Sequence, residues 1–163
     1  MHVMVVADSG PLIALARLDL LRLLRTHFDE VLVPDAVFAE CTVHPHRPGA
    51  QAIRAAQESG LFACVAVTGV DQFAGDHLLD RGEAAALVLA QERACPALVD
   101  ERKGRRVARQ LGIPVVGTVG VLLAARQAGN VDALAPLFDA LATYGYRIPA
   151  DMVLEALRRA GEI

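Results

Sequence analysis

Tryptophan is absent from the sequence, and aromatic residues make up only 4% of it. An all-β sandwich relies on aromatic and β-branched side chains, so this composition points instead to helices packed on a buried sheet. Cysteine is scarce as well. Cys41, Cys64 and Cys95 are odd in number, far apart and without CxxC spacing. Neither a disulfide framework nor a zinc knuckle is indicated, and the three read as reduced packing residues. Lysine occurs once, at Lys103; the other basic residues are arginine, which beside so much alanine reads as a coding bias and by itself points to no function. With 16 basic against 19 acidic groups the formal charge is -3, which argues against a general nucleic-acid coat but leaves room for a local basic patch. No stretch reaches the ~18–20 unbroken apolar residues of a spanning helix. The first apolar run, Val3 to Ala7, is cut by Asp8 and makes a poor signal peptide. A cytoplasmic protein without membrane contact is expected.

What the chain does have is alanine, valine and leucine. Hydrophobic residues reach 54% and the mean hydropathy is +0.38, which excludes intrinsic disorder. The 163 residues fit one domain, and the alternation of short β-branched runs with longer amphipathic segments predicts an α/β fold with a mostly parallel sheet. Strands are expected at Val3–Ala7, Val31–Val33, Phe62–Val67, Ala97–Val99 and Val115–Val116. Leu12, Leu15, Leu18, Leu21 and Leu24 predict one helix reaching about Arg25, with Ser9 as its cap. Further helices are expected from Asp35, over Ala50–Ser59, Ala84–Arg93, Arg102–Leu111 and Thr118–Ala128, and finally over Val131–Ala142 and Ala150–Ala160. Residues 1–163 read as a single domain, with 130–163 as its C-terminal helical extension.

Two acids directly follow apolar strands, Asp8 after the first and Asp100 after the fourth. Open α/β sheets bind ligands outside the carboxyl ends of their strands, where the strand order reverses. If those two strands are neighbours, Asp8 and Asp100 face one crevice. Glu83 then stands in a first helical turn, Glu40 on the helix after the second strand, and Glu101 beside Asp100. Such carboxylates repel unless a hard cation lies between them, and Mg²⁺ or Mn²⁺ prefers these oxygen ligands. Rival α/β chemistries lack their motifs: there is no GxGxxG, no P-loop, no DxD after the first strand and no GxSxG.

Val5-Val6-Ala7-Asp8-Ser9-Gly10-Pro11, Val33-Pro34 through Glu40, Gly82-Glu83-Ala84-Ala85-Ala86 and Leu98-Val99-Asp100-Glu101 resemble, in order, the four motifs of PIN-domain nucleases. Gly104 through Ala108, Gly117 through Gly120 and the closing Tyr146-Arg147-Ile148 are similar to an uncharacterised prokaryotic PIN-like branch related to VapC-type toxins. Leu98 departs from those toxins, which commonly carry Thr or Ser there.

The resemblance implies a three-layer α/β/α sandwich and a metal-dependent ribonuclease using Mg²⁺ or Mn²⁺. Its partners would be RNA, an antitoxin if the chain is a toxin of a two-gene pair, and a second copy in a homodimer or higher homo-oligomer. Asp8, Glu40, Glu83 and Asp100 would be catalytic and hold the metal, with Glu101 as a fifth ligand. Ser9 and Thr118 would orient ligands by hydrogen bonds. Arg102, Lys103, Arg105, Arg106 and Arg109 would receive RNA phosphates. The alternative is a nuclease-inactive RNA- or protein-binding module on the same fold.

Overall fold

The computed structural model describes residues 2–163. Five strands, Met4–Ala7 (β1), Glu30–Pro34 (β2), Ala63–Val65 (β3), Ala97–Leu98 (β4) and Val115–Val116 (β5), form one sheet in the order β3-β2-β1-β4-β5. Every neighbouring pair is parallel. The chain starts in the middle, builds outward to β3 and then crosses back to place β4 beside β1. The order therefore reverses between β1 and β4, where the open end of the sheet leaves a crevice.

Ten helices among the described residues cover both faces in a three-layer α/β/α arrangement: Ser9–Arg17 (α1), Leu23–His27 (α2), Asp35–Thr42 (α3), Ala50–Glu58 (α4), Val70–His77 (α5), Arg81–Arg93 (α6), Arg102–Gln110 (α7), Thr118–Gln127 (α8), Ala135–Thr143 (α9) and Ala150–Arg159 (α10). The period-two alternation of strands decides which residue meets which layer. Val5, Ala7, Val31, Val33 and Leu98 pack with Leu12, Leu15, Ile53, Leu122 and Leu141 on one side. Val6, Leu32, Ala97 and Val99 pack with Leu87, Leu89 and Val107 on the other. Burial on both faces explains why the strands read as unbroken apolar runs. Among the described residues no helix is long and apolar enough to cross a membrane.

The expected first helix is two. Helix α1 stops at Arg17, where Asp19 takes a positive φ of 57° and the Leu20 N–H donates to the Leu15 carbonyl at 2.8 Å. That closure ends a helix with one left-handed residue. The leucine period runs through it because Leu20, Leu21, Leu23 and Leu24 enter the same core as Leu12 and Leu15. Helix α5 was not expected at all; its eight residues, with Asp71, Gly75 and Asp76 among them, give no apolar stripe, and only Val70 is buried. Helix α9 begins at Ala135 rather than Val131, with Pro136 in its first turn. Its free N–H groups are capped from the far end of the chain: Leu134 and Ala135 N–H donate to the Glu162 carboxylate at 2.7 and 3.1 Å, and Arg126 of α8 lies 3.5 Å from it. These contacts hold the Glu162 carboxyl below its usual range and fasten the last segment to α8 and α9.

Candidate functional site

Asp8 stands at the carboxyl end of β1, and its N–H still pairs with the Leu98 carbonyl of β4 at 3.0 Å. Its side chain caps α1, accepting the Ser9 N–H at 2.8 Å. Aspartate rather than serine is therefore the cap, and Ser9 reaches Asp8 through its backbone. Only 3% of Asp8 is exposed. Burial raises its carboxyl to about 7, the Ser9 bond works against that, and Asp80, Glu40 and Glu101 add repulsion.

Glu83 lies in the first turn of α6, whose N-cap Asp80 accepts the Glu83 N–H at 2.8 Å. The side chain is buried, and its Oε2 has no hydrogen-bond partner. Burial, the adjoining Asp80 carboxyl, Glu101 and Asp8 raise it to about 8. Two glycines make this crowding possible. A Cβ at Gly82 would sit 2.7 Å from Glu40 Oε2, and one at Gly104 would sit 2.8 Å from Glu83 Oε2. Glu40, exposed near the end of α3, opens with Asp80 and Gly82 onto a cavity of about 330 Å³. Exposed Glu101 occupies the N-cap position of α7 without making a capping bond.

Asp100 follows β4 and is treated differently. Its Oδ1 accepts the Thr118 N–H at 2.8 Å, and its Oδ2 accepts the Thr118 hydroxyl at 2.5 Å and the Tyr146 hydroxyl. Arg105 lies beside it and donates from Nη1 to the Val99 carbonyl at 2.8 Å. Burial pushes the Asp100 carboxyl up, while the Thr118 bonds and the Arg105 charge pull the other way. Asp8 thus lies in the field of Asp80, Glu40 and Glu101, and Glu83 in that of Asp80, Glu101 and Asp8, whereas Asp100 is tied to donors.

A family model described as a PIN domain, DUF3368, matches residues 4–162. The chain belongs to the PIN-domain family. The fold is thereby a nuclease fold. No curated protein matches the sequence.

Of the basic residues on α7 of this PIN domain, Arg102, Arg105 and Arg109 line a cavity of about 300 Å³ beside Asp100, whereas Lys103 and Arg106 are exposed and outside its walls. Asp80 and Tyr146 are not among the site residues expected from sequence. Asp80 carries a signal, an acid three residues before Glu83 at a helix start. Tyr146 stands in a segment that resembles the PIN-like branch, but nothing in the sequence links it to Asp100, which it meets across 46 residues of chain.

Whether a hard cation suits these residues can be judged from the donors. Among the described residues, no three His, Cys, Asp or Glu side chains stand in a geometry that could hold a metal ion. The donor set is all oxygen, the Glu83 Oε2 is buried without a partner, and the acids raise one another's proton affinity. A divalent cation removes that kind of repulsion, so the residues fit Mg²⁺ or Mn²⁺ in donor chemistry.

Proposed function

We propose that this PIN domain is an endoribonuclease dependent on Mg²⁺ or Mn²⁺. The observation that carries the reading is the unpartnered, buried Glu83 Oε2 among carboxylates that repel it. A protein rarely leaves such a group unsatisfied without a use for it. Asp8, Glu40, Glu83 and Asp100 would hold the cation, with Glu101 and Asp80 at its margin. When bound, the cation supplies Lewis-acid polarisation of a phosphodiester oxygen and lowers the pKa of water.

The chain's own residues do the rest. Thr118 fixes both oxygens of Asp100, so that carboxylate is presented in one orientation. Arg102 and Arg105 lie next to Asp100 and take the phosphate charge of the strand. The Ser9 N–H holds Asp8 Oδ1.

The test is cleavage of a labelled RNA by wild type and Asp8→Asn, with and without EDTA, together with calorimetric titration of Mn²⁺ into the cation-free protein. Metal-dependent cleavage lost in Asp8→Asn, and Mn²⁺ binding weakened by the same change, are expected. Equal cleavage by both proteins points to contamination or another site. One observation favours a second reading, a binding module without nuclease activity: the acids do not close to a coordination geometry. Neither cleavage nor Mn²⁺ binding by wild type would decide for it.

A further inference from the structure

The cavity beside Asp100 has a charge that the carboxylates do not explain. Arg102, Arg105 and Arg109 line it from α7 at spacings of three and four, which is one face of a helix. Arg147, from the turn between α9 and α10, lines it as well. Four arginines thus line about 300 Å³, together with Asp100 and Asp151, and Arg105 is the one already engaged, at the Val99 carbonyl. Asp100 is already engaged by Thr118 and Tyr146. Among the described residues Arg102, Arg109 and Arg147 make no salt bridge.

The remaining walls are of another kind. Val119, Ile148, Pro149 and Met152 supply apolar surface in the same cavity. A basic rim joined to an apolar wall matches a ligand with an anionic end and a flat, weakly polar body. Its volume stands at the small end of the roughly 300–1,000 Å³ that small-ligand pockets span. A base pair does not fit such a space. Arginine's planar fork suits phosphate oxygens in pairs.

We propose that this cavity is a mononucleotide subsite: it holds one unpaired nucleotide, its phosphate on the arginines of α7 and Arg147 and its base against Ile148 and Met152. The proposal deepens the nuclease reading and rests on it for the claim that the nucleotide belongs to the substrate strand. The subsite depends on the C-terminal segment being fastened to α8 and α9 and to Asp100. Glu162 does that at the α9 end, and Tyr146 anchors the turn on Asp100. Binding and the carboxylate centre are thereby neighbours through one residue, Asp100.

The experiment is calorimetric titration of the full chain in EDTA with AMP, CMP, GMP, UMP and inorganic phosphate, so that no turnover enters. At least one nucleotide should bind about tenfold or more tightly than phosphate, and bind more weakly as salt rises. Arg147→Ala should lose about tenfold through the phosphate. Met152→Glu, a change at a partly exposed wall position, should lose a similar factor through the base. Arg22→Ala, far from the cavity in sequence and fold, serves as control and should bind as wild type.

Phosphate binding as tight as every nucleotide would overturn the proposal, since the pocket would then read only an anion. So would nucleotide binding that neither Arg147→Ala nor Met152→Glu changes. Wild type that cleaves RNA but binds no nucleotide sinks the subsite and leaves the nuclease standing. Nucleotide binding without cleavage of any RNA does the reverse.

Discussion

Asp8 and Asp100 each follow an apolar strand on adjacent strands of one sheet, but Ala7 pairs with Leu98, so Asp100 stands one residue further on and toward the other layer, and the protein treats the two oppositely. Asp8 is given one backbone N–H and is surrounded by other acids. Asp100 is given three donors and an arginine. The first is a charge kept in want of a partner; the second is a charge already positioned. Position at a strand end therefore does not determine what a carboxylate is for. The elements packed around the end determine it: α3 and α6 bring acids to β1, while α7, α8 and the α9–α10 turn bring donors to β4.

The largest expected effect separates the two acids by stability, not by activity. Asp8→Asn and Asp100→Asn should each reduce metal-dependent cleavage by more than about 100-fold, beyond what loss of a merely supporting group costs. In the cation-free protein they should diverge. Asp8→Asn removes a buried, crowded charge while keeping the acceptor for Ser9, so the melting temperature should rise by about 2–8 °C. Asp100→Asn leaves the Thr118 and Tyr146 donors facing an amide, and the melting temperature should fall by a similar amount. Thermal melts of both variants in EDTA check this. Shifts of the same sign would break the comparison.

How far the sequence foreshadows this site follows from the range of the contacts. The strand-end acids are legible because an apolar run stopped by Asp is a local pattern, and the parallel sheet follows from alternation. The end of α1 is not legible, because Leu20 and Leu24 continue the leucine spacing past Asp19 in the service of the same core. Helix α5 offers no periodicity to read. Arg102 and Arg105 stand out as a basic run, but nothing local distinguishes the face carrying Arg109 from the one carrying Lys103 and Arg106. Tyr146 and Arg147 follow a local reversal, with Gly145 at a φ of 83° and the Tyr146 N–H on the Leu141 carbonyl at 2.9 Å, but nothing local shows that it delivers Tyr146 to Asp100.

A second prediction reads the acidic region alone. Asp8 moves from an ordinary 3.8 to about 7, and Glu83 from 4.5 to about 8. Between the unfolded and folded values the folded protein holds protons that the unfolded chain has released. The cation-free protein should therefore lose stability as pH rises from about 4 through about 8. The expected fall in melting temperature is several degrees, about 2–4 °C for each kcal/mol. Saturating Mn²⁺ should flatten or reverse the slope, because the cation favours the ionised carboxylates. A melting temperature indifferent to pH across that window in EDTA would mean the acids are not crowded as described.

The smallest effect sharpens the other side. Tyr146→Phe keeps the ring and removes only the hydroxyl that Asp100 accepts, while Thr118 still donates to both Asp100 oxygens. The loss in stability should be about 0.5–1.5 kcal/mol, the net worth of one hydrogen bond. Activity should fall by about 10-fold or less, in kcat, because the carboxylate is aimed less firmly while the arginines that meet the strand are untouched. Thr118→Val should cost more, since Thr118 is 1% exposed and its hydroxyl has no solvent to replace it. The double variant is the decisive measurement. If the two hydroxyls hold one oxygen jointly, losing both should cost more or less than the sum of the single losses, by about 0.5 kcal/mol or more. Strict additivity would mean that Tyr146 and Thr118 act on Asp100 independently, and that the C-terminal turn covers Asp100 without positioning it.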